Sequence, residues 1–97
     1  MPTYVLLMNL TDQGIKGIKD APTRTQQAAQ ALEAAGGKML AFYTVMGPYD
    51  YVAIAEAPSD EVALAQLLAL GMGGNVRTTT LKAFPLEAFA QILKQLP

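Results

Sequence analysis

Few side chains in this sequence could do chemistry. It has no Cys and no His, which removes thiolate nucleophiles, thiolate zinc, iron–sulfur ligation, His-ligated haem and every His-based triad. The commonest proton carrier near neutral pH goes with them. Carboxylates, Lys, Arg, Tyr and backbone amides remain. Tyr49 and Asp50 stand together behind Gly47-Pro48, and Arg77 opens a β-branched run, Thr78-Thr79-Thr80. A phenol, a carboxylate and a guanidinium at one place can orient an aromatic or enolic molecule and stabilise its anion. Asp50 or a desolvated lysine would be the only base available. Asn9, Lys16 and Arg24 complete the candidate ligand-binding set, the two cations as anion binders. Asp12, Asp20, Asp50 and Glu56 match no metal-loop spacing, so neither a metal nor a cofactor is expected. Gly71-x-Gly73-Gly74 follows a helix and precedes a strand, the reverse of a dinucleotide turn. Asn9-Leu10-Thr11 matches a glycosylation sequon, which carries little without a secretory leader.

The elements that must position these residues are legible in outline. Thr3–Asn9 is β-branched and apolar and reads as a strand buried on both faces. A Gly-rich charged loop follows, with room for one helical turn carrying Ile15 and Ile18. Asp20 as N-cap and Pro22 in the first turn open a helix to about Ala35, with Ala28, Leu32 and Ala35 as its inner stripe. Lys38–Met46 and Tyr49–Glu56 form a hairpin, with Gly47-Pro48 as a type II′ turn. Its register sets Met46 opposite Tyr49, Thr44 opposite Tyr51 and Phe42 opposite Ala53. Ser59 caps a helix to about Leu70, with Asp60 and Glu61 at its positive end. Asn75–Phe84 is a fourth strand, and Pro85 opens a last amphipathic helix.

This β-α-β-β-α-β order predicts an α+β, ferredoxin-like domain. Its four-stranded antiparallel sheet runs 4-1-3-2, two helices lie on one face, and a C-terminal helix follows. Such a sheet gathers the Thr11–Pro22 loop, the hairpin turn and the segment before Arg77 at one end. There Asp50 and Arg77 have two readings: part of a ligand site, or an ion pair reaching across the end of the first strand. Neighbouring strands lie about 4.8 Å apart, so an Arg can span one.

The 97 residues suffice for one domain, 1–97. Hydrophobic residues make up 52% and charged residues only 15%, against about 25% charged in ordinary domains. That excludes disorder. Val62–Met72 is too short to cross a membrane, and the N-terminus lacks a signal-peptide pattern. Absent cysteines fit a reducing compartment, so the cytoplasm is the expected location. The net charge is −1 with the basic residues scattered, which argues against nucleic acid. Two helices leave one sheet face uncovered, and the in-phase set Phe42, Thr44, Tyr49, Tyr51 and Ala53 is assigned to it. Either the last helix folds over that face or two copies meet through it, giving a homo-oligomer. The second main helix, apolar nearly all round from Val62 to Leu70, points to wider assembly.

Met46-Gly47-Pro48-Tyr49-Asp50 resembles the motif of the GYD domain family of small bacterial proteins. The likeness extends over Met8-Asn9-Leu10-Thr11-Asp12-Gln13-Gly14-Ile15, Lys19-Asp20-Ala21-Pro22 and Asn75-Val76-Arg77-Thr78-Thr79-Thr80-Leu81, in that family's order and spacing. Gly47, Tyr49, Asp50, Asn75 and Arg77 are the matching motif residues, without a catalytic assignment. The family is largely of unknown function. The resemblance implies the dimeric α/β-barrel group of ferredoxin-like proteins, which holds small-molecule-binding domains and cofactor-free oxygenases. The expected function is small-molecule binding by a homo-oligomer, at the dimer or the loop end. The alternatives are a cofactor-free monooxygenase or isomerase, and a purely structural assembly subunit.

Overall fold

The computed structural model describes residues 1–97. In chain order the elements are β1 (Thr3–Leu10), α1 (Asp12–Lys16), a 3-10 turn (Ile18–Asp20), α2 (Ala21–Ala34), β2 (Lys38–Thr44), β3 (Tyr51–Glu56), α3 (Asp60–Met72), β4 (Val76–Ala83) and α4 (Leu86–Leu93). All strand pairs are antiparallel and the order is β2-β3-β1-β4, as the sequence predicts. The pairs Phe42↔Ala53 and Thr44↔Tyr51 also stand where the register places them.

Local chemistry sets the helix ends. Ser59 accepts from the Val62 amide at 3.2 Å and caps α3. Asp20 makes no such bond at the start of α2, because the preceding 3-10 turn already gives it helical backbone angles. The hairpin departs from a two-residue turn. The Val45 amide donates to the Asp50 carbonyl at 2.9 Å, which leaves a four-residue loop, Met46–Tyr49, with Gly47 at φ +122°. Met46 and Tyr49 do not pair, because Asp50 is drawn towards β1: its own amide donates to the Met8 carbonyl at 2.9 Å.

The assignment of the two sheet faces is reversed from the sequence expectation. Tyr4, Met8, Tyr51, Ala53 and Ala55 are buried, and Leu6, Leu10 and Phe42 pack with them; this is the face that α2 and α3 cover. Alternation divides the residues into two sets but does not say which set meets the helices. Side-chain size decides it, since the alanines of β3 let helices approach where Val52 and Ile54 would not. A shift in register between Met39 and Ala41 leaves Leu40 unpaired and brings Met39 to the helix side beside Phe42.

The other face carries Val5, Leu7, Tyr43, Val52, Ile54 and Leu81, with Tyr43 64% and Leu81 49% exposed. The last helix does not cover it. α4 makes at most sparse contact with any other element, and the molecule is elongated, 53 × 31 × 18 Å. The radius of gyration is 14.7 Å, against about 12.5 Å for a compact chain of this length.

Candidate functional site

Three segments converge at one end of the sheet. The β1–α1 junction is tied to the segment before β4 by backbone and side chains together. The Thr11 amide donates to the Asn75 carbonyl at 3.0 Å, and the Thr11 hydroxyl donates to the Gly74 carbonyl at 2.5 Å. The same hydroxyl oxygen accepts from the Gly14 amide at 3.1 Å and caps α1. Gln13 Nε2 reaches the Gly73 carbonyl at 2.9 Å and Asn75 Oδ1 at 3.1 Å. Gly14 is buried against the Asn75 carbonyl, where an added Cβ would lie 2.1 Å from the oxygen. These contacts give Thr11, Gly14 and Asn75 a structural role.

The hairpin loop joins from the other side. Asn9 Nδ2 donates to the Pro48 carbonyl at 2.9 Å, and Asp50 Oδ2 accepts from the half-buried Leu10 amide at 2.8 Å. Arg77 stands opposite Asn9 in the β1–β4 register, exposed and without an ion pair. Of the two readings of Asp50 and Arg77, the ion pair is therefore not formed. Asp50 spends its carboxylate on the backbone of β1 instead. Tyr49 is half-buried in the loop, and Lys16 is exposed in the last turn of α1.

The sheet divides the candidate set. Asn9 and Arg77 belong to the uncovered face. Arg24 belongs to the helix side, where its Nη1 donates to the Gly17 carbonyl at 2.8 Å. Arg24 also borders a cleft of about 320 Å³ between α2, the end of α3 and the sheet. Phe42 and Tyr51, with ring centroids 5.1 Å apart, line it with Met39, Leu70 and Val76. Tyr51 rather than Tyr49 is the tyrosine that meets this space. The in-phase placement of Phe42 and Tyr51 is visible in the sequence, which assigns the pair to the wrong side of the sheet.

A second polar cluster ties α3 to the sheet. The Tyr4 hydroxyl donates to Asp60, and Lys82 Nζ lies 2.9 Å from the other Asp60 oxygen. Burial first, then the hydrogen bond and charge of Asp60, push the Tyr4 hydroxyl up to about 12. The hydrogen bonds from Tyr4 and Lys82 hold the Asp60 carboxyl below the usual carboxylate range. No three His, Cys, Asp or Glu side chains come together as a metal site would need, and no helix is long and apolar enough to cross a membrane.

A four-stranded antiparallel sheet of order 4-1-3-2 with two crossover helices on one face defines an α+β domain of the ferredoxin-like kind. Residues 4–93 match the model of the GYD domain, and the chain belongs to that family. It is similar to a Thermus thermophilus protein named glutamine synthetase and cystathionine beta-lyase binding protein, with 37% identity over 97% of this chain and all of the relative. It is also similar to a protein of Thermus thermophilus solved by crystallography. That likeness has 28% identity and a TM-score of 0.50, over 88% of this chain and 95% of the other.

Proposed function

We propose that this GYD domain is a homodimeric binding module without a reaction of its own. The observation that carries the reading is a pair of apolar surfaces with no partner in the chain. One is the uncovered face of the sheet. The other is the stripe of α4, with Leu86, Phe89, Ile92 and Leu93 between 39% and 77% exposed. Fully burying one such side chain is worth about 1.5–3 kcal/mol, so two faces of this size favour association strongly. Two sheets meeting face to face bury the first surface, and α4 of each copy packs along the edge of the other. The ligand assigned to the dimer is a small molecule held at the loop end by Asn9, Tyr49 and Arg77. With Asp50 occupied by the Leu10 amide, binding is favoured over catalysis.

Sedimentation velocity of the intact chain tests the dimer. The expected species has twice the 10.3 kDa mass, and Leu81→Lys should return it to the monomer. A wild-type monomer at micromolar concentration overturns the proposal. A second reading, in which the dimer's ligand is another protein, is favoured by the relative's name as a binding protein for two enzymes. Titration of purified glutamine synthetase from the same organism separates the two: saturable heat supports the protein partner, and none supports the small molecule.

A further inference from the structure

Protein interiors pack to a density of about 0.74 and leave few voids larger than one water. This domain departs from that on its covered face. Only 10 of its 97 residues are buried and no large side chain is fully enclosed. One gap in its packing is the half-open cleft of about 320 Å³ beside α2. The space exists because α2 presents Ala28 and Ala31 where a core helix would place leucines, and because α2 and α3 touch only sparsely. Phe42 and Tyr51 line it with tilted rings.

The lining contains one charged residue, Arg24, and no acid. One N–H of that guanidinium is held by the Gly17 carbonyl, which leaves further donors on a fork suited to a carboxylate. The arrangement has the marks of a small-molecule site: apolar walls, a suitable size and a few convergent polar groups at the rim.

We infer that this cleft binds a small amphipathic anion, with an aryl or short alkyl body against Phe42 and Tyr51 and its carboxylate on Arg24. The inference rests on the reading of the domain as a small-molecule binder and adds to the loop-end site a second one on the helix side, which does not depend on the dimer. Apolar walls alone would accept the neutral alcohol as readily as the acid, so the selectivity for the anion comes from Arg24.

The test is an NMR titration of the labelled intact chain with 3-phenylpropionate and with 3-phenylpropanol, to millimolar concentration. The carboxylate should shift the signals of Ala28, Phe42 and Tyr51 and bind about tenfold more tightly than the alcohol. Arg24→Met should bring the two to equal affinity. Ala28→Leu should fill the cleft and abolish both, and Ala31→Leu serves the same purpose should the first variant fail to fold. Equal affinity in the wild type, or binding untouched by a filled cleft, overturns the site. Shifts centred on Asn9 and lost in Arg77→Gln overturn the cleft but keep the binding module at the loop end. No saturable shift with either probe overturns the cleft, while the dimer is read separately by sedimentation of the same samples.

Discussion

A Cβ on Gly14 would lie 2.1 Å from the Asn75 carbonyl oxygen and 3.0 Å from Leu10 Cδ2. Backbone cannot yield there cheaply, since the same carbonyl accepts from Thr11. Gly14→Ala should therefore cost about 1–3 kcal/mol, the range for overpacking, and a drop in melting temperature reads it. Asp50 and Arg77 make a second prediction. Asp50→Ala leaves the half-buried Leu10 amide without its acceptor, worth about 1–3 kcal/mol. Arg77→Gln removes an exposed side chain without an ion pair and should leave melting unchanged, and the double variant should lose only what Asp50→Ala loses. Coupling between the two in denaturant titrations would restore the ion pair that the structure lacks. These residues stand out in the sequence because their types are uncommon in an apolar chain of few charges. Their partners do not stand out. Asp50 binds an amide 40 positions away, and no local pattern distinguishes a carboxylate that will cap a strand end from one that will meet an arginine.

At the level of elements, the strand order, the Ser59 cap and the hairpin pairs Phe42↔Ala53 and Thr44↔Tyr51 follow from period, caps and turn residues, and they stand as the sequence predicts. Which face of the sheet the helices cover does not follow from period. Aromatic Phe42 and Tyr51 suggest an uncovered face, whereas the small Ala53 and Ala55 beside them are what allow close approach. The hairpin turn departs from expectation for a related reason, since Asp50 answers to β1 and not to its own hairpin. The junction of α3 with the sheet has a pH dependence of its own. Tyr4 holds its proton to about 12 in the fold but to about 10 in the unfolded chain. Between those values the unfolded state binds fewer protons, so stability falls as pH rises. The loss of Tyr4–Asp60 stabilisation should begin near pH 10 and be complete once the folded hydroxyl has titrated. Tyr4→Phe should be less stable at neutral pH and lack this part of the alkaline loss. Melting curves from about pH 8 to about 12 on both proteins check it, and parallel curves would mean that Tyr4 contributes nothing.

The whole molecule is an ordered α/β layer with an arm. α4 is amphipathic, and its sparse contact with the rest of its own chain leaves its apolar stripe, with Leu86 77% and Phe89 50% exposed, largely uncovered. A sequence pattern can show that a helix has an apolar face but cannot show whose surface that face meets; both intramolecular cover and a second copy satisfy the pattern. Removing the arm separates folding from association. A chain ending at Ala83 keeps the four strands, α2 and α3, and loses no buried residue. Its far-ultraviolet spectrum should retain the sheet and the other helices. If α4 grips a second copy, the truncated chain should dissociate at concentrations where the full chain stays paired, and the full chain's melting temperature should rise with concentration more steeply than that of the truncated one. Equal dissociation of the two in sedimentation equilibrium would mean that the sheet faces alone hold the dimer, and that the stripe of α4 serves a different partner. Loss of the folded spectrum on truncation would instead make α4 a part of the domain's own core, against the detached position it has here.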